Sequence, residues 1–146
     1  MEMNADTLQT ILLVVGVFLI MRFLPRIRAM FMGIPFTDVH AVKRRLDAGE
    51  NLLVIDVRTQ GEFTGDLGHI QGALNLDAMA LGGKLRTQGE ALAPYKNDPI
   101  VVLCRTENRS PGAAGILKRN GFTNLAIMGG GMAAWNRAGY PVVHKI

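Results

Sequence analysis

The only cysteine of the chain, Cys104, ends the apolar run Ile100 to Leu103 and opens the segment Cys104-Arg105-Thr106-Glu107-Asn108-Arg109-Ser110. Ser110 and Pro111 carry the signature of a helix start, with serine as cap and proline at the first helical position. A thiol between a strand end and a helix start faces free backbone N–H groups and the positive end of the helix dipole. Arg105 and Arg109 add two full charges, and all of these favour a thiolate, the form that acts as nucleophile. A structural cysteine would sit inside the strand. One cysteine closes no intramolecular disulfide, so any group the thiol takes up must leave to an external nucleophile.

Other polar residues are weaker candidates. Asp56 and Arg58 stand at the end of a second apolar run. His69, in Gly68-His69-Ile70, has the chemistry of a general base, but a histidine bonding to nearby backbone is the simpler expectation. His40 and His144 are too scattered for a metal site. Gly129 to Gly131 lacks the lysine of a phosphate loop and the spacing of a dinucleotide fold, and is expected to form a tight turn near the cysteine loop.

The elements that must position these residues alternate. Asp38 to Ala48 reads as a helix capped by Thr37 or Asp38, with Val39, Val42 and Leu46 at helical spacing and Gly49 at its end. Asn51 to Arg58 is a short apolar run typical of a strand buried on both faces. Gly72 to Leu76, Ile100 to Leu103 and Asn124 to Met128 are further strand candidates. Between the last two lies the helix after Ser110, with Ala113, Ala114 and Leu117 as its packing face and Gly121 beyond its end. Another short helix fits Met132 to Ala138. The expectation is an α/β fold: a parallel sheet flanked by helices on both faces, whose ligands bind beyond the carboxyl ends of the strands, where Cys104 sits.

The N-terminus differs in kind. Leu8 to Leu24 is almost wholly apolar, with Arg22 near its end, and Ile11 to Met21 has no polar side chain. A helix of 17 residues spans about 25 Å, slightly less than a hydrocarbon core, and the stem of Arg22 can extend it by snorkelling. A cleaved signal would want its positive charge before the apolar run, and a core helix would show a polar face. The expected organisation is a membrane anchor and juxtamembrane segment over residues 1–34, spanning about 8–24, followed by one globular domain over 35–146. Arg22, Arg26 and Arg28 on the C-terminal side of the span, against Glu2 and Asp6 on its N-terminal side, favour that domain facing the cytoplasm. Pro25 is expected to break or kink the helix, leaving Arg26 to Ile34 along the headgroups. The chain holds 16 Lys and Arg against 12 Asp and Glu, but only 13 against 10 from Phe36 onward, with no basic face carrying aromatic readers, so no nucleic-acid partner is expected.

Four segments, in order, resemble the rhodanese family. Cys104 to Ser110 is similar to its active-site loop, Cys-Arg-X-Gly-X-Arg-Ser in many members. Ile55 to Phe63 resembles its Asp-Val-Arg strand and following Glu-Phe; Gly68 to Leu76, its Gly-His-Ile-Pro-Gly-Ala-X-Asn segment; Asn120 to Val142, its Gly-Phe, Gly-Gly, Trp and Gly-Tyr-Pro-Val ending. The resemblance covers residues 36–143. It implies a thiosulfate sulfurtransferase-like enzyme with no cofactor beyond a persulfide carried on Cys104. The partners implied are a small sulfur donor such as thiosulfate and a thiophilic acceptor such as cyanide, a thiol or a thiol protein.

On that resemblance Cys104 is the nucleophile. The loop residues Arg105, Thr106, Glu107, Asn108, Arg109 and Ser110 hold the anionic donor and the persulfide, with Arg105 and Arg109 on the donor's oxygens or Arg109 tying down the loop. Asp56 and Arg58 brace the loop. Related phosphatases and arsenate reductases place five residues between cysteine and arginine; here there are four, which favours sulfur. The third alternative is a non-catalytic docking module. Glu107 departs from the family's usual glycine, and its carboxylate is expected to point outward into solvent.

Overall fold

The computed structural model describes residues 4–146; Glu2, part of the charge argument above, lies outside the described residues. Five parallel strands, β1 (Phe36–Thr37), β2 (Leu53–Asp56), β3 (Leu74–Asn75), β4 (Ile100–Leu103) and β5 (Leu125–Met128), form one sheet in the order β1-β5-β4-β2-β3. β4 sits at its centre, with Val101 opposite Val54 on one side and Ala126 on the other. All four of its residues are buried, as the unbroken apolar run requires.

The helices are α1 (Ala5–Phe31), α2 (Val39–Asp47), α3 (Gln60–Phe63), α4 (Leu81–Leu92), α5 (Ser110–Arg119) and α6 (Gly131–Arg137). Alternation along β4 divides the core between the two faces. Ile100, Val102 and Cys104 join Leu81, Leu85, Ala113, Ala114 and Leu117 of α4 and α5, together with Ala29 of α1. Val101 and Leu103 join Val39 and Val42 of α2 and Met132 and Trp135 of α6. The doubly covered parallel sheet expected from the sequence is present.

Local punctuation explains several element ends. Asp38 caps α2 by accepting from Ala41 N–H at 2.8 Å. Thr59 and Glu62 close a capping box on α3. Ser110 was expected to cap α5 but is its first residue; Arg109 holds the cap position without a side-chain cap, which leaves the Ser110 hydroxyl beside Cys104.

The N-terminal helix differs from the expectation in its second half. α1 runs without a break through Pro25 to Phe31. Its last turns dock on the domain instead of leaving it: Ala29 is fully buried, Met32 lies against Gly115, and Met32 O accepts from Lys118 Nζ. Tertiary packing supplies what the missing proline N–H removes. Earlier in α1, Leu12, Leu13, Val14, Phe18, Ile20 and Met21 are exposed. The 27-residue helix is long and apolar enough to cross a membrane.

Candidate active site

Cys104 lies one residue beyond β4, 1% exposed, with Sγ 3.6 Å from Ser110 Oγ. Strand parity points its side chain to the α5 side of the sheet, so the loop that follows must curl over it to reach Ser110. Among the described residues, none of the backbone N–H groups of Arg105, Thr106, Glu107, Asn108 and Arg109 donates to a protein acceptor. Five consecutive loop donors after a buried cysteine are thus without a protein acceptor, as an anion-binding nest requires.

The α6 turn holds the loop from the far side. Met132 N–H donates to Cys104 O and Ala133 N–H to Arg105 O, both at 2.9 Å. Gly130 and Gly131 reach this approach with φ of +74° and +55°, and a Cβ on Gly131 would stand 2.3 Å from Cys104 O. The glycine triplet is therefore the tight turn expected near the loop.

Arg109 reaches outward and downward. Its guanidinium donates to both oxygens of Glu62, each at 2.7 Å, in a bidentate pair. Glu62 itself is fixed by the α3 capping box. Its carboxyl is drawn down to about 2, first by the Arg109 hydrogen bonds against the opposing effect of burial, and then by Thr59. Arg109 is raised by the same pair. Of the two roles open for Arg109, this geometry is the tie between loop and α3.

Asp56 and Arg58 are 0% and 1% exposed and joined by a short bridge, Arg58 Nη2 to Asp56 Oδ2 at 2.7 Å. Arg58 also donates to Glu62 O and Gly68 O. They were expected to brace the loop itself; their hydrogen bonds hold α3 and the turn at Gly68, and Glu62 in turn ties to Arg109 of the loop. His69 Nδ1 pairs with Phe63 O at 2.8 Å and its ring stacks on Phe63, so it is bound to backbone as expected. Arg105 and Asn108 are exposed. Arg105 lines a cavity of about 470 Å³ together with Arg58, Glu62 and Asp66.

Glu107 is where the structure corrects the sequence reading. The residue is 7% exposed, and its carboxylate is not turned into solvent. Arg26 of α1 donates to it twice, at 2.6 and 2.8 Å, and Gly130 N–H donates at 2.7 Å. Burial alone would raise its carboxyl, but Arg26 and Gly130 outweigh it and the net direction is down. The charge that departs from the family pattern is thus neutralised by the N-terminal helix. Arg26 and Glu62 were missed as functional residues; Thr59-x-x-Glu62 was a visible capping signal, whereas nothing local in the sequence pairs Arg26 with Glu107, 81 residues away.

A family model described as Rhodanese-like domain matches residues 38–138. The chain belongs to the rhodanese-like family. Among similar proteins are the "Sulfurtransferase" of Allochromatium vinosum, 31% identical over 73% of this chain and 92% of that one, and the "Thiosulfate sulfurtransferase GlpE" of Pseudomonas fluorescens, 30% identical over 63% and 76%. Similarity also extends to "Probable adenylyltransferase/sulfurtransferase MoeZ" of Mycobacterium tuberculosis, 36% identical over 66% of this chain, of whose length the match spans only 23%. A rhodanese-like domain from Anabaena superposes with a TM-score of 0.62 at 30% identity, covering 73% and 76% of the two chains. Family membership and sulfurtransferase-named relatives support sulfur transfer in general.

The Glu62–Arg109 tie makes an acid-side prediction. A carboxyl lowered from 4.5 to about 2 stabilises the fold above its unfolded value and loses that contribution as pH falls toward 2. Both side chains are a quarter to a third exposed, which reduces the contribution to about 1 kcal/mol. Urea unfolding of Glu62→Gln should show wild type more stable by about this amount at neutral pH, with the difference shrinking between about pH 5 and pH 2. A constant difference across that range would contradict the ion pair.

Proposed function

We propose that this rhodanese-like protein is a membrane-anchored sulfurtransferase of the thiosulfate type, with Cys104 as nucleophile. The Cys104 thiolate attacks the outer sulfur of thiosulfate. A new S–S bond forms, the donor's S–S bond breaks, and sulfite leaves with the bonding electron pair. The persulfide's outer sulfur carries negative charge, for which the five free N–H groups of Arg105 to Arg109 are ready donors. An external nucleophile, cyanide or a thiol, then attacks that sulfur and releases the thiolate. Arg105 meets the donor's oxygens from the open side, and Arg109 holds the loop in place. The thiolate is the form of Cys104 that attacks, and the acceptor supplies its own electron pair.

What carries this proposal is the run of N–H groups without protein acceptors in the loop that follows a buried cysteine, with an arginine after four intervening residues. α1 anchors the domain through residues 8–24, and the arginines beyond that segment favour the domain on the cytoplasmic side. The test is intact-mass measurement of the full-length protein in detergent after thiosulfate treatment. A gain of one sulfur atom, removed by cyanide or dithiothreitol and absent from Cys104→Ser, is expected. No gain with thiosulfate, polysulfide or a persulfide donor would exclude persulfide carriage, and Cys104-dependent cleavage of an aryl phosphate would place the enzyme among the phosphatases.

A further inference from the structure

Between α1, the cysteine loop and α6 lies a polar cleft of about 310 Å³ lined by Arg22, Thr106, Glu107, Asn108, Gly130 and Arg137. Arg22 and Arg137 are exposed, and among the described residues neither makes an ion pair. The Thr106 hydroxyl and the Asn108 amide also make no hydrogen bond there. The one acid of the cleft, Glu107, is already engaged by Arg26 and Gly130 N–H. Two guanidiniums without an ion pair and two polar side chains without a hydrogen-bond partner therefore line a space large enough for a tetrahedral oxyanion.

The position of this cleft identifies the source of the anion. Met21, Leu24, Pro25 and Arg28 of α1 lie over Asn108, Pro111 and Gly112, whereas Met32 lies over Gly115 and Lys118. α1 thus runs parallel to α5, and its apolar N-terminal part projects past the N-terminal end of α5, where the cysteine loop sits. Arg22 directly follows the wholly apolar Ile11 to Met21. On the reading of α1 as a membrane span, on which this inference rests, Arg22 marks the level of the headgroups, and the cleft opens at that level.

We propose that this cleft binds the phosphate of an anionic phospholipid headgroup, seating the active-site end of the domain on the bilayer. Two guanidiniums select a headgroup of net negative charge over a zwitterionic one, whose cationic end they repel. The bound phosphate would bridge α1 to Thr106 and Asn108 of the cysteine loop. Donor or acceptor would then reach Cys104 from the membrane side.

The test is titration of the full-length protein in detergent with short-chain phosphatidylglycerol, phosphatidylcholine and inorganic phosphate, read by native mass spectrometry. A one-to-one phosphatidylglycerol adduct is expected, bound at least about tenfold more tightly than phosphatidylcholine and weakened by about tenfold or more in Arg22→Gln/Arg137→Gln. Thr106→Val provides a milder variant within the same cleft, and thermal melts establish that each protein is folded. Equal binding of phosphatidylcholine, no adduct, or an adduct indifferent to the two arginines would overturn the proposal. Inorganic phosphate bound as tightly as the lipid would make the cleft a soluble-oxyanion site and overturn it equally. Because the readout is lipid binding without sulfur transfer, failure here is separate from failure of persulfide formation.

Discussion

Replacing Gly131 by alanine is expected to abolish persulfide formation while the neighbouring change Gly129→Ala leaves it nearly intact. A Cβ on Gly131 would meet Cys104 O at 2.3 Å, Thr106 O at 2.5 Å and Arg105 C at 2.8 Å, all backbone atoms with no side chain to swing aside. The φ of +55° adds strain of its own for any residue with a Cβ. The chain cannot relieve this by backing away, because Met132 N–H and Ala133 N–H are bonded to the carbonyls of Cys104 and Arg105. Withdrawal would break both bonds and turn the nest away from the sulfur. Strain and lost bonds together should cost about 2–4 kcal/mol. At Gly129 a Cβ would meet only Glu107 Oε1 at 3.5 Å and Thr37 O at 3.6 Å, ordinary contacts. Thermal unfolding and persulfide mass on both variants check the contrast. A Gly131→Ala protein that melts and accepts sulfur like wild type would show that the α6 turn does not hold the loop.

The comparison of these two glycines shows why sequence carries some of this site and not the rest. The helix after Ser110, the central strand and the tight turn at Gly129 to Gly131 are legible because each depends on residues adjacent in the chain. Even so, Ser110 stands one place inside its helix, since its hydroxyl is drawn to Cys104 rather than to a backbone N–H of the first turn. α4 went unread: Gly82, Gly83 and Gly89 interrupt its pattern, and it is held by the burial of Leu81 and Leu85 against the sheet, a tertiary effect that overrides weak propensity. β1 is two residues long and exists because β5 offers it an edge. The ion pairs are the least legible, since Glu62 and Arg109 are 47 residues apart and only the folded sheet brings α3 against the loop.

Arg26→Ala is the sharpest test of the link between the N-terminal helix and the cysteine loop. Removing the guanidinium leaves Glu107 buried with one remaining donor, Gly130 N–H. Breaking a fully buried pair by deleting one partner costs about 3–5 kcal/mol; Arg26 is 45% exposed, so about 1–2 kcal/mol is expected here. The pH dependence supplies the sign. In the wild type the Glu107 carboxyl is lowered, so its pairing stabilises the fold above the unfolded value and is lost as pH falls. In the variant, burial acts with less opposition and moves the carboxyl upward, so the folded state tolerates acid better than neutral solution. The stability gap between the two proteins should therefore be widest near pH 7 and narrow toward about pH 4. Adding Glu107→Gln to Arg26→Ala removes the unpaired charge and should recover part of the loss. Deleting residues 1–34 takes away Arg26 as surely as the point substitution does, so the isolated domain should show the same pH-dependent deficit and a slower persulfide reaction. Urea unfolding of wild type and the three variants at both pH values checks this; a gap that is absent, or equal at the two, would mean that α1 carries the domain to its place without shaping the loop.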